Sequence, residues 1–212
     1  MLHIEPYRDA DRLQTAALIY AAFCDKFQRA RRLSPRLQWR LFYRLWSWKQ
    51  GGSRERSFVV KQDEQVVAAF ALNAAAGENN AGRRPHALPI WRLCRRYGWL
   101  NVWRLYLQMA ALRHTPAADE LYLSYLAVAE NQRGKGVGKW LLQWMNDYAA
   151  GQGAGRRLSL HVSRRNVDAL RLYRRCGFQV RREEHYASLG WLFGQADWVL
   201  MERRCGEATC AK

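Results

Sequence analysis

Apolar positions along this chain follow two periods, and each period marks an element. His3 to Tyr7 alternates and predicts a short first strand. Behind Asp9 and Asp11, the residues Leu13, Ala16, Ala17, Tyr20 and Ala21 recur at helical spacing, which predicts a helix to about Phe27. Ser34-Pro35 has the form of an N-cap followed by proline at the first helical position. The helix it opens carries Leu37, Leu41, Leu45 and Trp48 on one face and stops at Gly51-Gly52-Ser53. Arg32, Arg36, Arg40 and Arg44 form a basic edge on the same helix. Phe58–Lys61, the polar stretch Gln62-Asp63-Glu64-Gln65 and Val66–Leu72 then predict a hairpin.

The second half alternates strands with helices. Leu121–Val128 and Arg157–Val162 predict strands four and five, each followed by a helix, Gly136–Ala150 and Asn166–Arg175. Gly177–Arg182 and Asp197–Arg203 predict the last two strands, with Tyr186–Gln195 between them. The link from Asn73 to Asp119 is long for a structureless connection. It holds two amphipathic pieces, Ile90–Tyr97 and Leu100–Arg113, and the residues Trp91, Trp99 and Trp103 argue against disorder. With no internal repeat and no low-complexity linker, residues 1–212 read as a single domain in which 79–118 is a basic, Trp-rich insertion.

The chemistry is concentrated in two stretches. Arg133-Gly134-Lys135-Gly136-Val137-Gly138 joins a strand to a helix. Its glycines permit a tight turn and close backbone approach, and the helix start aims free N–H groups at an anion. Such a turn also serves dinucleotides, nucleoside triphosphates or no ligand. No Gly-Lys-Ser/Thr closes it as in a Walker loop, and its Gly-x-Gly-x-Gly spacing is a poor dinucleotide fingerprint. The second stretch, Asn166 through Phe178, has the form Asn-x-x-Ala-x-x-Leu-Tyr-x-x-x-Gly-Phe. Together and in this order, the two stretches resemble the acetyl-coenzyme A loop and second motif of the GNAT superfamily of N-acetyltransferases, over Leu121 to Phe178.

The resemblance implies an α/β (α+β) fold with a mixed, mostly antiparallel sheet, flanking helices and a helical insertion between strands three and four. It implies acetyl transfer from acetyl-CoA, a cosubstrate, to an amine on a small molecule or peptide, with no metal. The pyrophosphate is expected at Arg133, Gly134, Lys135, Gly136, Val137, Gly138 and Lys139. The pantetheine arm is expected along Leu126, Ala127 and Val128, where the fourth strand of the family splays from the fifth, a feature often marked by a bulge. Tyr173 is expected near the sulfur as proton donor, and Asn166 as helix N-cap and cofactor contact. The position at which many members carry a catalytic Glu is Tyr122 here. Glu120 lies on the same strand face as Tyr122 and Ser124 and is the favoured base candidate; Asp25, Glu183, Glu184 and His185 are the alternatives. His161 reads as a core histidine.

Charge adds a second line of argument. The chain carries a net +17, and 16 of its positive charges lie in the acid-free segments Lys26–Arg54 and Asn79–Ala118. Concentrated charge of this kind suggests a surface that meets an anion. An acceptor bearing phosphate or carboxylate, or lying on an anionic surface, is therefore expected, with residues 79–118 as a largely helical lid over the acceptor side whose tryptophans pack partly on the helix from Pro35 to Lys49. A homodimer contact through those tryptophans is the other use of the insertion. The reading from a different class is a non-catalytic protein of the same fold whose basic aromatic surface binds nucleic acid or anionic membrane. Five scattered cysteines form no metal pair, no signal pattern opens the chain and no run of 18 apolar residues is free of charge. These features predict a cytoplasmic protein without a transmembrane segment.

Overall fold

The computed structural model describes residues 1–27, 33–52, 55–75, 90–110, 114–153, 155–187, 190, 194 and 196–206. Seven strands form one sheet: β1 (His3–Pro6), β2 (Arg56–Gln62), β3 (Gln65–Ala74), β4 (Glu120–Val128), β5 (Arg157–Ser163), β6 (Gln179–His185) and β7 (Asp197–Arg204). Their order is β1-β2-β3-β4-β5-β7-β6. Every neighbouring pair is antiparallel except β4 and β5. The helices are α1 (Arg12–Phe27), α2 (Pro35–Gly52), α3 (Ile90–Tyr97), α4 (Trp99–Ala110), α5 (Val137–Ala150) and α6 (Val167–Arg175). This is the mixed, mostly antiparallel sheet with flanking helices that the family resemblance implies, and α3 and α4 are the helical insertion between β3 and β4.

The two sheet faces carry separate cores. On one, Phe70 and Leu72 of β3, Leu121 and Leu123 of β4 and Leu158 and Leu160 of β5 pack against Leu141, Leu142 and Met145 of α5 and Leu170 of α6. On the other, Tyr125 and Ala127 of β4 join Ala16 and Ile19 of α1, Leu41, Phe42 and Leu45 of α2, and Leu93, Tyr97, Val102 and Leu105 of α3 and α4. The period-two alternation of the strands produces this division, since successive side chains point to opposite faces.

The alternation breaks once within β4. Leu121 and Leu123 face α5, but so do Leu126 and Val128. The register explains it: Leu72 pairs with Leu123 and Ala71 with Tyr125, so Ser124 is an extra residue with no partner on β3. A bulge of this kind bends its strand and raises the local twist.

The β2–β3 hairpin turns on Asp63 and Glu64, whose φ angles are +48° and +63°. Two successive residues with positive φ make the turn that matches the twist of paired strands. Gln14 of α1 holds its far end by accepting from the Val66 N–H at 2.8 Å.

Trp91, Trp99 and Trp103, expected to be partly packed on α2, are largely exposed, and Trp103 meets Tyr106, which itself lies against Trp48 of α2. The residues buried with α1 and α2 are Leu93, Tyr97, Val102 and Leu105, which occupy another side of each helix. Helical spacing explains this: Trp91 falls nearly half a turn from Leu93 and Trp103 from Leu105, while Trp99 flanks Val102. Residues 79–89 and 111–113 of the insertion, and Arg32 of the basic edge, lie outside the described residues.

Candidate active site

The β4–β5 ladder is short. Glu120, Tyr122 and Leu123 pair in parallel with Arg157, Ser159 and Leu160, and pairing ends at Leu123 and Leu160. Beyond this point β4 continues along β3 to Val128, while β5 continues along β7 to Ser163. The backbone edges of Ser124–Val128 and His161–Ser163 therefore face one another across an opening without pairing to each other. The Val128 carbonyl is taken by Arg133 and the Ser163 carbonyl by the Asn166 N–H; groups left over need partners, and an extended polar ligand is suited to supply them. Leu126, Ala127 and Val128, the residues expected to meet the pantetheine arm, form one edge of that opening.

The glycine turn stands at the end of the same strand. Gly134 and Gly136 have φ angles of +75° and +81°, which side chains rarely adopt, and a Cβ on either would meet nothing within 4 Å. The concavity over the turn is thus open. Gly136 is the N-cap of α5, and the N–H groups of Val137, Gly138 and Lys139 have no acceptor within the helix. Gly138 serves packing instead: a Cβ there would lie 3.1 Å from Leu172 of α6. Val137 is buried and anchors the turn in the core, while Arg133, Lys135 and Lys139 are exposed around it. Arg133 also donates its Nε–H to the Val128 carbonyl at 3.2 Å, tying the turn to the edge of the opening. Free N–H groups, an aligned helix dipole and three cations are features suited to an anion.

Asn166 caps α6, its side-chain oxygen accepting from the Ala169 N–H at 3.2 Å. Tyr173 lies on the same helix against Phe178, with ring centroids 5.7 Å apart. Burial, with a smaller contribution from Cys176, pushes its hydroxyl up to about 12. Among the described residues that hydroxyl has no hydrogen-bond partner. A phenol held protonated, with its proton uncommitted, is suited to donation.

Glu120 is occupied. Its carboxylate accepts from the Ser159 hydroxyl, from the Ala117 N–H at 2.9 Å and contacts His114 Nε2 at 2.8 Å. Burial opposes its charge, but these hydrogen bonds outweigh burial and hold the carboxyl below its ordinary range. Such a carboxylate is a poor proton acceptor. Its partner His114 lies over the ring of Tyr122, 4.7 Å between centroids.

The sequence did not foresee a polar chain that begins at Tyr122. The Tyr122 hydroxyl lies 3.0 Å from His161 Nδ1. His161 Nε2 lies 3.0 Å from Glu184, which also accepts from the Tyr186 hydroxyl at 2.7 Å. A carboxylate only accepts, so Nε2 carries the imidazole proton and Nδ1 accepts from Tyr122. Burial lowers the His161 pKa and outweighs the upward pull of Glu184, so the ring is neutral at pH 7. For Tyr122, burial first and then the charges of Glu55, Glu120 and Glu184 push the hydroxyl upward. Tyr122 is next to the last paired residue of β4, and His161 is the first residue of β5 past the ladder. The chain thus starts where the strands part. Only the register could reveal it, because its members come from three strands.

The remaining base candidates lie elsewhere. Glu183 pairs with Arg164 at 2.7 Å, and His185 contacts Asp197 at 2.8 Å, both in exposed positions. The side chain of Asp25 lies outside the described residues. No group of three or more His, Cys, Asp or Glu among the described residues could hold a metal ion.

Comparison with known proteins bears on this arrangement. The model of the Acetyltransferase (GNAT) family matches residues 18–178. An uncharacterized N-acetyltransferase, YobR of Bacillus subtilis, is 39% identical over 64 residues, which is 30% of this chain and 26% of that protein. Streptothricin acetyltransferase of Streptomyces lavendulae is 38% identical over 69 residues, 32% of this chain and 36% of that protein. The chain thus matches about a third or less of the length of these curated relatives. Solved structures match throughout. A histone acetyltransferase HPA2 and related acetyltransferase from Corynebacterium glutamicum superposes with a TM-score of 0.64 at 19% identity, covering 98% of both chains. The ribosomal-protein-S18-alanine N-acetyltransferase of Escherichia coli gives 0.56 at 16% identity, covering 98% of this chain and 96% of its own. These likenesses show a common fold. With the family model spanning most of its length, this chain belongs to the GNAT acetyltransferase family.

Proposed function

We propose that the protein is an acetyl-CoA-dependent N-acetyltransferase, and the observation that carries the reading is the parting of β4 from β5 beyond Leu123 and Leu160, beside an open glycine turn at a helix N-terminus. The family uses acetyl-CoA. In this chain the pyrophosphate lies on the N–H groups of Gly134 to Lys139, with Arg133, Lys135 and Lys139 around it. The pantetheine arm adds to the unpaired edge at Leu126, Ala127 and Val128, with Asn166 beside it. Its amides complete hydrogen bonds that β5 leaves unmade.

The acceptor amine attacks the thioester carbon; the C–N bond forms and the C–S bond breaks. Sulfur takes the proton of Tyr173 as it leaves. An ammonium sheds two protons on becoming an amide. One restores Tyr173, and the other leaves through Tyr122 and His161 to solvent, with Glu184 stabilising the imidazolium. Glu120 acts by positioning: it holds His114 over Tyr122.

A second acceptor class enters here. The basic segments led to an anionic acceptor, but the carboxylates Glu55, Glu120 and Glu184 act on Tyr122, Glu55 beside Lys49 at 3.7 Å and Glu184 beside Arg182 at 3.6 Å. Carboxylates at the proton outlet favour an amine that arrives as a cation. Release of coenzyme A thiol, measured with a panel of small amines, tests both points. Turnover with cationic diamines above that with amino acids of equal length is the expected result. No thiol release with any amine, in a protein that still binds coenzyme A, would leave the binding-protein reading in its place.

A further inference from the structure

Helix α4 has two apolar faces. Val102 and Leu105 face the core. Trp99, Leu100, Trp103, Tyr106 and Leu107 form a second stripe at helical spacing, and it faces outward: Trp99 is 62% exposed, Leu100 54% and Trp103 49%. Soluble surfaces rarely leave a contiguous stripe of this size uncovered. Helix α3 adjoins it through Gly98 alone, whose φ of +80° makes the tight turn. Its outer face carries Trp91 with Arg92, Arg95 and Arg96, all exposed. The guanidiniums of Arg92 and Arg95 each sit 5.8 Å from the centre of the Trp91 ring. No acid occurs between Asn79 and Ala118.

We propose that the outer face of α3 and α4 docks the protein on an anionic lipid bilayer, with the α4 stripe at the boundary between headgroups and acyl chains and the α3 arginines on lipid phosphates. Each part has its chemical reason. Tryptophan and tyrosine settle at membrane interfaces because they combine an apolar body with one polar group. Leu100 and Leu107 lie within the stripe and suit acyl chains, whereas nucleic acid offers them no partner. Arginines beside the stripe match a surface of negative phosphates. A second copy of this chain fits the face less well. Each copy would bring the same row of arginines to the contact, with no acid between Asn79 and Ala118 to offset it, in a protein of net charge +17. The proposal does not depend on which amine the protein acetylates.

Vesicle flotation of the full chain, with tryptophan emission recorded alongside, tests it. The wild type is expected to float with mixed phosphatidylcholine–phosphatidylserine vesicles, to shift its emission to the blue, and to remain behind with phosphatidylcholine alone. The variant with Arg92→Gln, Arg95→Gln and Arg96→Gln should lose about tenfold or more in vesicle affinity at low salt. The Trp99→Ser, Trp103→Ser variant should lose binding and the blue shift. Both should melt as the wild type does and keep thiol release with a soluble amine, because the altered side chains are exposed and remote from the glycine turn. Equal flotation with neutral vesicles, or flotation untouched by both variants, overturns the proposal. So does a wild type that ignores vesicles but binds oligonucleotides, or one that sediments as a dimer dissociated by Trp99→Ser, Trp103→Ser.

Discussion

Two side chains separate the proton traffic of the proposed reaction. Tyr173 is protonated at neutral pH as any phenol is, and burial moves its hydroxyl further up, to about 12. Tyr173→Phe should lower kcat by about 10²-fold while changing the Kd for acetyl-CoA little, as measured by single-turnover kinetics and calorimetry. Comparable kcat would return Tyr173 to a packing role against Phe178. His161 works in the other direction. Its neutral form accepts the proton, and its pKa lies below the ordinary 6.5 because burial penalises the charged ring. Activity should therefore persist at pH 6.5 and fall only as the solution becomes more acidic and the ring gains its proton. His161→Gln should lower kcat and remove that acid limb, and a pH–rate profile decides it. An unchanged limb in the variant would assign the titration to another group. The sequence placed Tyr173 through an intact motif. His161 and Tyr122 sit 39 positions apart and meet only because β4 and β5 pair in parallel. No local pattern marks that contact.

At the scale of elements, Ser124 is the hinge of the site. Side chains before and after it keep their faces because it is the extra residue. Deleting it would leave Leu121, Leu123, Leu126 and Val128 all on the α5 side and straighten β4. The deletion should thus fold, with the β4–β5 ladder free to lengthen and close the opening. Acetyl-CoA affinity should drop by at least about tenfold, which is roughly 1.4 kcal/mol. Calorimetry on a variant whose circular dichroism matches the wild type would test this, and unchanged affinity would mean that the bulge does not create the opening. The glycine turn is a separate element with a separate test. Gly136→Asp puts a carboxylate into the open space proposed for the pyrophosphate and should weaken acetyl-CoA by at least about tenfold as well. Isothermal titration gives the answer directly. Most elements were legible from periodicity, since each has one buried face. The orientation of α3 and α4 was not. Both helices carry apolar residues on two sides, and spacing alone does not say which side meets α2.

For the whole molecule, the proposed ligand joins parts that the fold leaves apart. The sheet is continuous in order but divided at its centre, where β4 and β5 separate, and a bound pantetheine arm would bridge the division. Ligand that binds only the folded state stabilises it by about 2.7 kcal/mol at a hundred times its Kd. Coenzyme A at that excess should raise Tm by roughly 5–10 °C for a chain of this length, read by differential scanning fluorimetry. The shift should shrink in Gly136→Asp at the same ligand concentration. A wild type with no shift would contradict the proposed site.

The sequence alone determined the strand-to-helix order and the two motifs that mark the glycine turn and the capped helix carrying Tyr173, and the class of sheet followed from the family resemblance of those motifs. These depend on residues close together in the chain: a glycine at positive φ, an N-cap, an alternation of apolar positions. The tertiary structure decided what depends on register and on faces. It bonded Glu120 to Ser159, His114 and a backbone N–H, so that the leading base candidate became a support. It brought Tyr122, His161 and Glu184 together from three strands where β4 and β5 part. It turned Trp99 and Trp103 outward while Val102 and Leu105 took the core. In each case the deciding quantity was which partner lay across a strand or beneath a helix, and that information is absent from spacing along the chain.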